Sequence, residues 1–256
     1  MTNAHIRNPL RRKFAAKETA YGLWVTLESA TVSEIAAEIG LDWICIDMEH
    51  GSLDYRDILH HARAVRGSDT AVLVRVPTLG VDTIKRALDL GVDGVILPLI
   101  RSAEELHTAF SYARYPSTGV RAIGGERAVR WGLKQDEYLT TANQEALVIP
   151  NIETAEASAC INDILNVPGL EAIFFGPYDL SASLGHFNKW EGPGVAEDIL
   201  RMRKLAADRG IAAGLVATGP DDLKQRKAQG FQMIALGTDT TMMIRQIKAL
   251  LCEATA

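Results

Sequence analysis

Short, continuously apolar runs alternate along this chain with segments whose apolar residues recur every three or four positions. The runs are YGLWVT, DWICIDM, AVLVRV, DGVILPL, ALVIPNI, EAIFFG, IAAGLVA and FQMIALG. Runs of this length without polar alternation are what parallel strands covered on both faces require. The segments between them, such as TVSEIAAEIG, VDTIKRALDLG and PDDLKQRKAQG, read as helices. Gly40, Gly91, Gly210 and Gly230 stand where left-handed C-terminal caps belong. Eight strand–helix units in 256 residues predict one α/β domain over 1–256, a (β/α)8 TIM barrel. A doubly wound open sheet is the structural alternative, but no GxGxxG follows the first strand. A short basic helix from about Pro9 to Lys17 precedes the barrel. Two connections break the rhythm, Tyr115 to Glu145 and Pro177 to Gly194, and long connections of this kind are expected lids.

The stretch from Ala146 to Ser181 carries the clearest chemistry. ALVIPNIE ends in Glu153, TAEASACINDILN reads as one helix capped by Thr154, and LEAIFFGPYDLS passes through Gly176 and Pro177 to Asp179. Strand, helix, strand in a parallel sheet delivers Glu153 and Asp179 to the same edge. Two hard oxygen ligands with few others nearby suit Mg²⁺, Mn²⁺ or a similar divalent ion that keeps positions for water and substrate. The bland alternative makes Glu153 a solvent-facing acid at a helix start and Asp179 an N-cap. In a barrel the other strands bring Asp47, Glu49, His50 and Gly51, then Arg75 and Pro77, then Pro98, then Asn151 to the same rim. Taken singly, His50 and Arg75 read as a structural histidine and a salt-bridging arginine. Polar density at the ends of apolar runs is harder to explain as packing, because buried charges need partners.

Composition narrows the function classes. A net charge of −5 with both signs dispersed gives no basic footprint for nucleic acid or membrane surfaces. No run approaches a membrane span, and MTNAHIRNPLRRKFAAK lacks the apolar core of a secretory signal, so a cytoplasmic location is expected. Cys45, Cys160 and Cys252 are too scattered for disulfides or zinc and read as reduced core residues.

Carboxylates, one arginine and one histidine suit reactions that pass through an enolate. A chelated metal acts as Lewis acid on a 2-oxo acid, Arg75 adds fixed positive charge at the enolate oxygen, and histidine, which titrates near neutrality, moves the proton. Asp89, in RALDLG, is a candidate to orient that histidine, although its position also suits a surface acid. The rival chemistry uses a Schiff-base lysine. None of the nine lysines lies in a strand-type run.

Segments DWICIDMEHG, VLVRVP, VILPLI, RYPSTGVR, IETAEA, GPYDLSASLG and ALGTDTTMM, in this order across nearly the whole chain, resemble the HpcH/HpaI family of metal-dependent pyruvate aldolases. The resemblance implies a barrel of the phosphoenolpyruvate/pyruvate type in which Glu153 and Asp179 hold Mg²⁺, Mn²⁺ or Co²⁺. It implies that His50 is the acid/base, that Asp89 raises its basicity and that Arg75 stabilises the enolate. Asn151 and the backbone of Gly176, Pro177 and Tyr178 would touch the substrate, with Asp47 and Glu49 around the metal's waters. It further implies a 2-oxo acid and an aldehyde as substrates, and a hexamer whose last helix, TTMMIRQIKALL, is exchanged between neighbours; an ordinary packed terminal helix is the alternative.

The chain departs from the family pattern at Asn151, where glutamine is usual, and at Ala122 in VRAIGGERAVRW, where glycine is usual. The shorter amide leaves room for a hydroxyl and leads to the expectation that hydroxypyruvate serves as donor beside pyruvate. The turn from Gly237 to Thr240 is a weak candidate for holding a phosphorylated aldehyde. Two other readings remain at this point: carbon–carbon lysis of an acyl-coenzyme A or phosphonate on a related barrel, and a non-catalytic 2-oxo-acid-binding barrel.

Overall fold

The structure, a computed structural model, describes residues 7–187, 189–191 and 194–255. Strands β1 (Ala20–Val25), β2 (Trp43–Asp47), β3 (Ala71–Arg75), β4 (Gly94–Leu97), β5 (Leu147–Ile152), β6 (Ala172–Phe175), β7 (Ala212–Val216) and β8 (Met233–Thr238) close into a parallel barrel in sequence order. All eight apolar runs are strands, and the closed ring excludes the open-sheet alternative.

The first helix, α1 (Pro9–Ala15), is started by Asn8, whose side chain accepts from the backbone of Leu10 and Arg11. Around the barrel lie α2 (Ala30–Glu38), α3 (Tyr55–Ala64), α4 (Val81–Asp89), α5 (Ala103–Ala113), the short α6 (Gln135–Leu139) and α7 (Ala142–Glu145), α8 (Ala155–Ala159), α9 (Ile161–Leu165), α10 (Pro177–Ser183), α11 (Val195–Asp208), α12 (Pro220–Ala228) and α13 (Asp239–Thr255). The four capping glycines all have the left-handed φ expected of them, 73 to 86°. TAEASACINDILN is not one helix: it breaks at Cys160 into α8 and α9. Among the cysteines only Cys45 is a core residue; Cys160 is half-buried and Cys252 exposed on α13, whose side chains from Thr241 onward pack little against their own barrel.

Side chains alternate inward and outward along each strand, and the inward set forms a separate core. Ala20 and Trp24, Trp43 and Cys45, Ala71 and Leu73, Leu147 and Ile149, Ala172 and Phe174 belong to it, and Leu10 of α1 closes its amino-terminal end. Trp24, Trp43 and Phe174 fill the middle, with ring centroids 5.2 Å (Trp24–Phe174) and 6.2 Å (Trp43–Phe174) apart. Glycines at inward positions make room for them: a Cβ on Gly22 would lie 2.1 Å from the Trp43 ring. Two residues further along the same inward rows stand Asp47, Arg75 and Asn151, so the parity that fills the barrel also aims these polar groups into its carboxyl mouth.

The first insert is not a lid. Arg121 pairs with Asp89 at the end of α4, and Arg127 donates to the carbonyls of Leu90, Gly91 and Ala62. The insert's arginines thus satisfy orphan carbonyls at the C-terminal ends of α3 and α4, which draws the segment to the amino-terminal side of the barrel, away from the mouth. The second insert follows β6 at the mouth; Tyr178 meets Trp190 edge-on, and Arg226 of α12 lies 4.6 Å over the Trp190 ring. Residues 188, 192 and 193 of this stretch lie outside the described residues. Among the described residues no helix is long and apolar enough to cross a membrane.

Substituting Gly22→Ala forces a methyl into the Trp43 ring, with the Trp43 carbonyl 2.6 Å away on the other side. Overpacking of this kind costs about 1–3 kcal/mol, and chemical denaturation should show a loss of at least that size.

Candidate active site

Arg75, the last residue of β3, is held from two sides. Its Nε donates to Asp47 Oδ1 at 2.9 Å and its Nη2 to Asp47 Oδ2 at 2.5 Å, while Nη1 lies 3.0 Å from Glu49 Oε2. Trp24 donates its indole N–H to the same Asp47 carboxylate at 3.2 Å, and the guanidinium lies 5.0 Å over the Trp24 ring. Burial alone would raise the Asp47 pKa, but the Arg75 charge and the N–H groups of Trp24 and Glu49 hold it below the usual carboxylate range. Desolvation opposes the Arg75 charge and is outweighed by Asp47 and Glu49, so its pKa is raised. Two of the five guanidinium N–H bonds are donated to Asp47, and Nη1 faces Glu49 as an ion pair without a hydrogen bond, so the fork keeps donor capacity for a substrate oxygen.

Asp47 also shapes the loop after β2. Its Oδ1 accepts from the backbone of Glu49 at 3.0 Å and His50 at 3.3 Å, and Gly51 follows because a Cβ there would lie 2.5 Å from the Asp47 carbonyl. This turn leaves the His50 side chain 68% exposed at the rim, with Nε2 3.9 Å from Glu49 Oε2.

On the far side of the mouth Glu153 is 3% exposed, which excludes the solvent-facing reading. Its Oε1 accepts from the Leu99 backbone N–H at 2.6 Å, and its Oε2 from the Asn151 amide. Leu99 makes that bond from a left-handed conformation, φ 53°, which a non-glycine residue holds only when its surroundings impose it. Burial, then the charges of Glu49 and Asp179, push the Glu153 carboxyl up to about 7. Glu49 is raised for the same first reason, burial, with Arg75 and His50 opposing. Asp179 occupies the first turn of α10, whose N-cap is Gly176, so Asp179 is not itself the cap. Gly176 backs against the site: a Cβ there would lie 2.5 Å from Glu153 Oε2 and 3.1 Å from Asn151 Nδ2. Asn151 is 2% exposed, and its Oδ1 has no hydrogen-bond partner.

The mouth thus gathers Asp47, Glu49, Glu153 and Asp179 around Arg75 and His50. Such an acid excess, with a buried carboxylate near neutrality and an orphaned amide oxygen, fits a hard divalent cation. Among the described residues no group of three or more His, Cys, Asp or Glu side chains is placed to hold one, so the protein would contribute the Glu153–Asp179 pair and leave the other positions to water and substrate. Asp89 is elsewhere. It ends α4 on the amino-terminal side of the barrel, 2.7 Å from Arg121 Nη2, in a groove with Tyr55, Arg86 and Trp131, and one chain does not bring it to His50.

Two residues of the site escaped the sequence reading. Trp24 was detectable, since it shares the inward parity of β1 with the interior set. Leu99 contributes a backbone N–H through an unusual φ and had no side-chain signal.

Residues 20–246 match the family model HpcH/HpaI aldolase/citrate lyase. A hydroxypyruvate/pyruvate aldolase of Paraburkholderia phytofirmans is 35% identical, with 96% of this chain and 97% of that protein covered. A 2-keto-3-deoxy-L-rhamnonate aldolase of Escherichia coli is 33% identical over 94% of this chain and 90% of that one. The crystal structure of an HpcH/HpaI aldolase/citrate lyase family protein from Burkholderia cenocepacia superposes with a TM-score of 0.92 at 33% identity, covering 96% of this chain and 98% of that chain.

Proposed function

The chain belongs to the HpcH/HpaI aldolase/citrate lyase family as a class II pyruvate aldolase, a carbon–carbon lyase, and from that premise we propose that it adds the enolate of pyruvate or hydroxypyruvate reversibly to an aldehyde, giving 4-hydroxy-2-oxo acids. The observation that carries this reading is the half-buried Arg75, fixed by Asp47 and paired with Glu49 while keeping N–H bonds to spare, facing an acid pair whose buried member lies near neutrality.

Each residue then has a task. Glu153 and Asp179 hold Mg²⁺, Mn²⁺ or Co²⁺, and the bound ion supplies Lewis acidity toward the 2-oxo group. Arg75 directs its free N–H bonds at the oxygen on which negative charge develops, and because Asp47 and Glu49 fix the fork beforehand, no reorganisation is needed during the reaction. His50 moves the proton at the donor's methyl carbon, from a rim position open to substrate. The backbone of Gly176, Pro177 and Tyr178 lies against the substrate, and Glu49, whose Oε2 carries no hydrogen bond, would accept from water around the ion, whereas Asp47 is already taken by Arg75, Trp24 and the turn at Glu49 and His50. Asn151 sets the donor: its unpartnered Oδ1 accepts the hydroxyl of hydroxypyruvate.

Asp89 serves His50 only from a second copy of the chain, since its own barrel separates them. Assembly also accounts for α13, which leaves Ile244 50%, Ile247 51% and Leu251 59% exposed. These apolar groups pack against neighbouring copies, in the hexamer that the family resemblance implies. Both His50→Ala and Asp89→Ala should lose at least ~10²-fold in turnover, and mixing the two variants through a dissociation and reassembly step should restore part of the rate; no recovery would place the pair otherwise.

Pyruvate release from a panel of 4-hydroxy-2-oxo acids should vanish in chelator and return with Mg²⁺, Mn²⁺ or Co²⁺, and Glu153→Gln should weaken Mn²⁺ binding in calorimetry. Full turnover in chelator would refute the metal assignment. Asn151→Gln should lower the hydroxypyruvate-to-pyruvate efficiency ratio with one aldehyde by roughly threefold to tenfold, the worth of a hydrogen bond of about 0.5–1.5 kcal/mol. An unchanged ratio would show that Asn151 does not choose the donor.

A further inference from the structure

A cavity of about 550 Å³ opens on the amino-terminal side of the barrel, between the start of α1, the loop before β3 and the first insert. Thr70 and Asp93, which precede β3 and β4, line its floor. It therefore lies at the opposite end of the strands from Arg75 and Glu153, on the order of 15 Å away along strands that rise about 3.3 Å per residue.

Five cations and four carboxylates line it, on a chain whose net charge is −5. Arg7, Arg66, Arg127, Arg130 and Lys134 reach it. Its carboxylates are already engaged. Glu137 pairs with Lys134 at 3.1 Å and Arg7 at 3.2 Å, and Asp69 with Arg12 at 3.1 Å. Glu145 takes the backbone N–H groups of Arg7 and Asn8 and lies 3.5 Å from Arg11; the Asp93 carboxyl takes the Val72 N–H at 2.8 Å. Arg66 and Arg130, by contrast, form no ion pair or side-chain hydrogen bond among the described residues. Burial, then the neighbouring charges of Arg130, Arg63 and Arg66, hold the Arg127 guanidinium below its ordinary range.

The wall that carries Arg130 is conformationally costly. Arg130, Trp131 and Gly132 are three consecutive left-handed residues, with φ of 52, 54 and 86°. For the two non-glycine residues this conformation is unfavourable, because Cβ crowds the following carbonyl oxygen. Strain of this kind persists where surroundings over-determine it and gathers at ligand clamps.

We propose that this cavity binds a dianionic phosphate group on a small molecule, with Arg66, Arg127 and Arg130 as its clamp. Guanidinium forks match phosphate oxygens in pairs, and a tetrahedral dianion presents enough oxygens for several forks where a single carboxylate occupies one. The volume lies within the usual range for small-molecule sites. The distance from the mouth sets this ligand apart from the substrate, and Arg127 also borders the groove holding Asp89.

The test is isothermal titration of the full chain, without added metal and at constant ionic strength, with inorganic phosphate in one arm and glycerol 3-phosphate in the other. Saturable binding at one site per chain in either arm supports the site, and the tighter arm identifies whether free phosphate or an ester is the source. Affinity should fall at least ~10-fold in Arg66→Gln/Arg130→Gln, the loss of about 1.4 kcal/mol that one charge-assisted bond accounts for. It should be unchanged in Arg75→Lys, and aldol turnover without phosphate should be unchanged in the double variant. Arg130→Gln alone serves if the double variant does not fold. Absent binding, equal affinity in the variants, loss in Arg75→Lys, or a double variant whose assembly state differs from wild type would each overturn the proposal, the last by making this face a contact between copies.

Discussion

The guanidinium of Arg75 is the point on which the mouth of this barrel depends. A charge this buried is tolerated only with close partners, and it has two: the bidentate Asp47 and the flanking Glu49. Asp47 in turn ties down the indole of Trp24 and the backbone that turns at Glu49 and His50. One ion pair thus fixes the direction of the arginine fork, the packing of an aromatic at the top of the barrel and the placement of the histidine. Removing Asp47 would strip the guanidinium of its bidentate partner and release Trp24 and the turn at His50 together.

Across the mouth the logic is reversed. Glu153 is buried beside other acids, with only an amide, a strained backbone N–H and the space left by Gly176 around it. Its acidity near 7 reflects burial first, and after it the negative charge of Glu49 and Asp179. The two halves are complementary: one holds permanent positive charge in a fixed direction, and the other presents hard oxygen donors of the kind a divalent ion takes. Placing a 2-oxo acid between them puts its oxygens where both act.

Much of this was legible in the chain because barrel strands have a simple grammar. The apolar runs stood out, the capping glycines marked helix ends, and the residues that broke the end of each run, Asp47, Arg75, Asn151 and Glu153, all proved to share the inward parity of the interior. What was not legible depended on backbone geometry or on long-range pairing. Leu99 acts through an N–H and a left-handed φ, neither of which its side chain reports. The break at Cys160 divides a segment whose helical spacing continues through it. The first insert was misread as a lid because length suggests function, whereas its arginines find their partners at helix C-termini on the opposite side. Asp89 is the acid that the family resemblance implies for His50, yet only topology reveals that it sits at the wrong end of its own barrel to serve it.

The central claim is that Arg75 is held in advance for charge that appears only in the enolate. Its most direct test compares Arg75→Lys with wild type in two measurements on the Mn²⁺-loaded enzyme, the rate of solvent exchange of the pyruvate methyl protons and the pyruvate dissociation constant. A lysine keeps the charge but loses the fork. Exchange should slow by about 10²–10³-fold, the usual cost of one misplaced oxyanion donor, while pyruvate binding weakens by less than ~10-fold. Equal losses in both would contradict the account and make Arg75 a simple anchor for the substrate carboxylate.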